Sequence, residues 1–265
     1  MPDAPHPRFA ELHRQATPLL LPNVWDAASA ALWQQAGAAA LGTSSAALAW
    51  ACGYADGGAL PREPLLRQVG AIVRVAAVPV SVDLEDGYHD DPGAVAALAA
   101  EIAAAGAVGI NLEDGAGPPE RLAAKIRAIR DALGDAPLFV NARTDVYLRG
   151  LATGRAAVDE TAARLARYRD AGADGGFVPG LRDPGDIAAI VAAVPMPLNV
   201  MAVPGLPPVA ELAAAGVRRI SAGSALFQHA YGAGRHAVRR FLAGDLAETL
   251  RERVDYGELN GLFAN

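Results

Sequence analysis

One lysine and one cysteine occur among the 265 residues, and both shortages narrow the chemistry. Cys52 has no partner for an intramolecular disulfide, which fits a reducing compartment and gives a cytoplasmic expectation. Lys125 falls inside the helical pattern of Leu122, Ile126, Ile129 and Leu133, whereas an imine-forming aldolase needs its lysine at a strand end. Surplus positive charge is lacking as well. The net charge is -6, with the arginines scattered among acids, and nucleic acid binding requires a clustered basic surface. Apolar runs are broken by Gly, Pro or charge, and Met1 to Gln15 carry Pro, His, Arg and Glu where an export signal needs an apolar core. Neither membrane insertion nor secretion is expected. With 20% charged against 52% hydrophobic residues, the composition is that of a buried globular core.

What is present is an alternation. Short runs rich in Val, Ile and Leu are separated by longer Ala/Leu/Arg segments of helical period, the pattern of parallel strands joined by crossover helices. Strands are expected at Leu19–Pro22, Ala38–Thr43, Val78–Asp83, Val108–Glu113, Leu138–Arg143, Gly175–Pro179, Leu198–Met201 and Arg219–Ala222. Eight such units close a (β/α)8 TIM barrel, an α/β fold. Asp91-Pro92 and Asp183-Pro184 read as helix starts, and Gly106, Gly172 and Gly216 as helix ends. Residues 1–236 are therefore assigned to the barrel and 237–265 to a C-terminal helical extension. Its Ala237–Arg253 segment, with Val238, Phe241, Leu242, Leu246 and Leu250 at helical spacing, needs a partner surface.

Barrel active sites lie at the C-terminal ends of the strands, and here those ends are acidic. Asp83 and Glu85 follow the third strand in "VSVDLEDGY", Glu113 ends the fourth in "GINLEDG", and Asp56 sits in "GYADGG" after the second. Converging carboxylates repel one another unless protons or a cation compensate them, and an oxygen-only site suits magnesium, with manganese as the substitute. Asp86, Asp90, Asp91 and Asp114 read as caps and turn residues, so replacing Asp114 is expected to be nearly silent. Asn199 is either an inward polar residue on the seventh strand or a partner for neighbouring backbone. His89 reads as a solvated loop histidine, and Cys52 as packing.

From "LPNVWDAASA" to the eighth strand the chain resembles the isocitrate lyase/phosphoenolpyruvate mutase superfamily. "GTSSAALAWACGYADGG" is similar to its substrate loop and metal-site Asp, "VDLEDGY" to its Asp-X-Asp/Glu element, and "INLED" and "NARTD" to its Glu and Arg. The resemblance implies Asp83 as the direct magnesium ligand, with Asp56, Glu85 and Glu113 holding its waters. It implies Ser44, Ser45, Ala46, Asp83, Arg143 and Asn199 as substrate-binding residues, and Arg143, Asp56 and Glu113 as catalytic ones. A guanidinium at Arg143 suits bidentate grip of a carboxylate. The implied activity is magnesium-dependent handling of a small 2-oxo acid or dicarboxylate through its enolate, as a C–C lyase or oxaloacetate-type hydrolase. The alternatives are P–C chemistry of the phosphoenolpyruvate mutase kind and a catalytically weak 2-oxo acid binding protein. Exchange of a C-terminal helix within a homodimer or homotetramer is implied too. Two departures stand out: the lyases' Lys-Lys-Cys-Gly-His loop is replaced by "EDGAGPPE", and Pro179 stands where lyases have Glu and mutases His.

Overall fold

The computed structural model describes residues 5–264. Met1–Ala4 and Asn265, which the expected domain spans include, lie outside the described residues. In chain order the elements are α1 (Pro5–Leu12), β1 (Leu19–Leu21), β2 (Asn23–Val24), α2 (Ala27–Gln35), β3 (Leu41–Thr43), α3 (Ser45–Ala51), α4 (Arg62–Val75), β4 (Val80–Asp83), α5 (Pro92–Ala104), β5 (Gly109–Glu113) and α6 (Pro119–Leu133). There follow β6 (Phe139–Arg143), α7 (Arg155–Asp170), β7 (Gly175–Phe177), α8 (Pro184–Ala193), β8 (Leu198–Met201), α9 (Val209–Ala214), β9 (Val217–Ser221), α10 (Ala225–Leu242), α11 (Leu246–Thr249) and α12 (Tyr256–Gly261).

All strand pairs are parallel, in the order β1-β9-β8-β7-β6-β5-β4-β3-β2. The two ends of that order, β1 and β2, are separated in the chain only by Pro22. The ring is thus an eight-position barrel whose first strand is broken where proline has no N–H to give the ladder. Asn23 bridges the break: its Nδ2 donates to the Thr43 carbonyl at 2.7 Å and its Oδ1 accepts from the Gly223 N–H at 2.8 Å. Every expected strand is present. Asp91 and Asp183 cap α5 and α8 as read, and Gly106, Gly172 and Gly216 all take positive φ after helices.

The core lies between the barrel and its helices, with Val95, Leu98 and Ile102 of α5 and Leu122, Ile126 and Ile129 of α6 buried against the strands. The barrel's lower mouth is plugged by α1, whose Phe9 packs with His13 and Phe139. Gly109 is required there, since a Cβ would meet Phe9 at 2.9 Å. His13 donates from Nδ1 to the Phe9 carbonyl, and burial, with Arg219 nearby, pushes its pKa down to about 3.

At the C-terminus the expected single helix over Ala237–Arg253 is corrected. α10 runs unbroken from Ala225 through the 236/237 boundary to Leu242, and the chain then turns at Gly244 (φ +81°) before α11 and α12. Gly244 followed by the α11 cap Asp245 stops the helical run. Val238, Phe241, Leu242, Leu246 and Leu250 are all more than half exposed. Among the described residues no helix is long and apolar enough to cross a membrane.

Candidate active site

Three neighbouring strands deliver the site. In the ladder Asp83 pairs with Asn111, and Glu113 with Arg143, so the ends of β4, β5 and β6 stand side by side. Asp83 is buried; its N–H donates to Thr43 Oγ1 at 2.9 Å and its Oδ2 accepts from the Ser45 N–H at 3.1 Å. Ser44 caps α3 by accepting from the Ala47 N–H. The Ser44–Ala46 segment therefore faces the site, and one of its amides is already given to Asp83. Asp83 Oδ1 has no hydrogen-bond partner among the described residues.

Beyond Asp83 the chain turns through left-handed backbone, with Glu85 at φ +50° and Tyr88 at φ +58°. Such conformations cost about 1–3 kcal/mol each and gather at functional sites. The turn tucks Glu85 inward, leaving its Oε1 buried and unpartnered among the described residues, with the equally unpartnered Tyr88 hydroxyl close by. Burial, then Asp56 and Asp83, raise the Glu85 pKa to about 7. Asp56 itself is exposed in the loop after α3 and touches the site through its charge.

Glu113 faces Arg143, with Oε2 2.5 Å from Nη1. Burial, reinforced by Asp83, Asp145 and Glu85, outweighs that partner and raises the Glu113 pKa to about 8. Arg143 is also gripped by the wholly buried Asp145, Nε to Oδ1 at 2.7 Å and Nη2 to Oδ2 at 3.1 Å, and lies over the Phe177 ring. Its guanidinium is thus fixed on one edge by Asp145 and presents Nη1 to Glu113, which lines the cavity. Asn199 points into the barrel: its Oδ1 accepts from Ser221 Oγ at 3.3 Å and its buried Nδ2 has no partner among the described residues. Of the two readings left open for Asn199, the inward one holds.

A cavity of about 670 Å³ opens beside Glu85 and Glu113 and is walled by Tyr88, Arg121, Lys125 and Arg149. That volume suits a small-molecule ligand. Among the described residues no three His, Cys, Asp or Glu side chains gather closely enough to enclose an ion. Magnesium does not need such a cage, because it keeps several waters and takes one or two carboxylates. The orphaned Asp83 Oδ1 and Glu85 Oε1 supply that donor set, so the residues fit the cation.

Of the acids read as caps or turns, Asp86 accepts from the Tyr88 N–H, Asp90 pairs with Arg121 and Asp91 caps α5. Asp114 is a correction. Its carboxylate is wholly buried and accepts from the Asp145 N–H, Arg164 Nη1 and Tyr168 OH, at 3.0, 2.9 and 2.6 Å. Cys52 ends α3 and packs on the core, His89 is exposed, and Pro179 is buried beyond the end of β7. Sequence reasoning missed Asp145, Tyr88 and Arg219. Arg219 is enclosed in the barrel, where Nη2 reaches Asn111 Oδ1 at 3.3 Å and burial lowers its pKa to about 9. An arginine within a strand pattern was the available signal.

Residues 9–242 match the family described as phosphoenolpyruvate phosphomutase. An uncharacterized protein of Mycobacterium tuberculosis (strain ATCC 25618 / H37Rv) is 39% identical over 256 residues, covering 95% of this chain and 94% of its own. An oxaloacetate decarboxylase of Bradyrhizobium sp. (strain ORS 278) is 30% identical over 66% of this chain and 63% of its own. Among solved structures, a Burkholderia cenocepacia J2315 protein described as a candidate phosphonomutase superposes with a TM-score of 0.85 at 43% identity, over 89% of this chain and 100% of its own. 2,3-Dimethylmalate lyase, a PEP mutase/isocitrate lyase superfamily member, superposes at 0.85 with 25% identity, over 98% and 95%. Phosphonopyruvate hydrolase in complex with oxalate and Mg2+ shares the fold, at 0.85 with 24% identity, over 97% and 95%.

Proposed function

This chain belongs to the phosphoenolpyruvate phosphomutase family, and from that premise we propose that it is a magnesium-dependent enzyme acting on a small 2-oxo dicarboxylate through its enolate, as a C–C lyase or oxaloacetate-type hydrolase. The observation that carries the reading is the pair of unpartnered carboxylate oxygens, Asp83 Oδ1 and Glu85 Oε1, at the strand ends beside Arg143 and an open cavity. Relatives named oxaloacetate decarboxylase and 2,3-dimethylmalate lyase support C–C chemistry, and the Burkholderia structure described as a candidate phosphonomutase supports the P–C alternative.

When bound, magnesium would balance the acids and stabilise the negative oxygen that develops as the bond beside the keto group breaks. Asp83 would hold it directly, and Asp56, Glu85 and Glu113 would order its waters. Arg143, locked by Asp145, receives the substrate carboxylate. Ser44–Ala46 and Asn199 orient the substrate, the latter with the Nδ2 that has no partner among the described residues. Glu113, held near neutral pH by burial, is the group placed to carry a proton in a site without the lyase cysteine.

We also place residues 237–265, with the exposed side of α10, against a second copy in a homodimer or homotetramer. A groove lined by Leu20, Trp33, Ile220 and Leu226 flanks the broken strand and offers a matching apolar surface. The lone, half-buried Cys52 suits the cytoplasm.

The deciding experiment is calorimetry of oxalate with magnesium or with excess chelator, followed by turnover of oxaloacetate, 2-alkylmalates and phosphonopyruvate. Oxalate binding that needs magnesium, with cleavage of one of the first two substrates, is expected. Equal affinity in chelator would remove the metal from the reading, and turnover of phosphonopyruvate alone would move the enzyme to P–C chemistry.

A further inference from the structure

The turn that aims Glu85 is improbable by itself. Over four residues it takes φ +50° at Glu85, +97° at Gly87 and +58° at Tyr88. Its own backbone supplies part of the restraint, through Gly87 N–H to the Leu84 carbonyl at 2.7 Å and Glu113 N–H to the Glu85 carbonyl at 2.8 Å. The middle of the turn is held from another element. Lys125 Nζ donates to the Asp86 carbonyl at 2.6 Å and lies 3.8 Å from Asp86 Oδ2.

Lys125 is only 2% exposed, although lysine is among the residues least often buried. Enclosing an ammonium costs free energy unless it is paired, so its location needs a partner, and the partner here is this turn. Lys125 is buried along α6 together with Leu122, Ile126 and Ile129.

We propose that Lys125 is a positioning residue: a strut from α6 that holds the Leu84–Tyr88 turn in its left-handed form and so keeps Glu85 directed into the site. The strut rests on geometry alone, and its consequence for ligand binding rests on the function proposed above.

The test compares the wild type with Lys125→Met and with Lys125→Cys made in a Cys52→Ser background. The latter is measured before and after alkylation by 2-bromoethylamine in denaturant, with complete reaction verified by mass and both forms refolded alike, which rebuilds an amine of lysine's length on the only thiol. Hydrogen exchange of the metal-free proteins reads the turn directly, and calorimetry with magnesium and oxalate reads the site. In Lys125→Met, exchange across Leu84–Tyr88 should rise and magnesium-dependent oxalate affinity should fall, each by about tenfold, the low end for loss of an outer-shell partner. Aminoethylation of Lys125→Cys should return both toward wild type. Unchanged turn exchange in Lys125→Met, or no recovery on aminoethylation, overturns the proposal. If Lys125→Met does not fold, the alkylated and unalkylated Lys125→Cys proteins carry the comparison. A wild type that binds no magnesium oxalate removes the proposed function, and turn exchange then decides Lys125 by itself.

Discussion

Asp114 and Asp83 show how two acids near the same strand ends divide into different kinds of residue. Asp114 has three donors and no exposed surface, so Asp114→Ala leaves Arg164 and Tyr168 facing a void. Breaking such a buried pair costs about 3–5 kcal/mol. Urea denaturation should show a loss of that size, with oxalate affinity of the folded protein nearly unchanged. Asp83→Ala should do the opposite, abolishing magnesium-dependent binding with a smaller loss of stability. Charge also gives a pH signature. Glu85 and Glu113 keep protons in the fold to about pH 7 and 8, whereas the unfolded chain loses them near 4.5. Above 6.5, where His13 is neutral in both states, the folded form binds more protons, and stability falls as pH rises. In chelator the Tm should therefore drop between pH 6.5 and 8.5, and magnesium should flatten the slope. A Tm that rises across that window would show the two carboxyls ionised in the metal-free fold.

At the scale of elements, the strand ends were legible because period and position coincide: Asp83, Glu113 and Arg143 each close an apolar run, where a barrel presents its chemistry. The turn after β4 was not legible, since nothing in "LEDGY" states that Glu85 and Tyr88 adopt left-handed backbone. That follows from close packing, in which Gly87 meets Val95 of α5. A Cβ on Gly87 would lie 2.6 Å from Val95 Cγ1, at a φ of +97° that L-residues avoid. Gly87→Ala should accordingly weaken magnesium-dependent oxalate binding and lower Tm, whereas Gly70→Ala, on the open side of α4, should not. Equal behaviour of the two variants would show that the turn yields freely. The burial of Lys125 and Arg219 was not legible for a related reason: their helix and strand patterns are ordinary, and only tertiary neighbours make them buried cations. The C-terminal helix was read through Gly244 because apolar spacing continued on both sides of the break.

For the whole molecule, the C-terminal helices have little to do in their own barrel: α11 and α12 bury no residue. Of the 18 residues of α10 only Phe227 is buried, while Tyr231, Val238, Phe241 and Leu242 are exposed. Water-facing apolar stripes of this kind mark contact surfaces. The full chain should sediment as a dimer or tetramer at micromolar concentration, and Phe241→Asp with Leu242→Asp should yield monomers with an intact barrel by circular dichroism. A wild type that sediments as a monomer would refute the assembly.

Pro22 leaves this cylinder with a tear line. Elsewhere around the circumference a strand pairs with both neighbours as one unit; at that one longitude the ladder is split, β1 on β9 and β2 on β3, and a carboxamide on Asn23 adds a latch, giving to one side and taking from the other. Forced or thermal opening should begin along that line, with β2 parting from β3 or β1 from β9 before any other neighbours separate. Asn23→Asp exchanges the donor for an acceptor facing the Thr43 carbonyl, undoing the latch without changing its size. Amides of Leu41–Thr43 should then lose protection well ahead of those in β5 and β6, so that the barrel would come undone as a sleeve unbuttons, from a single edge.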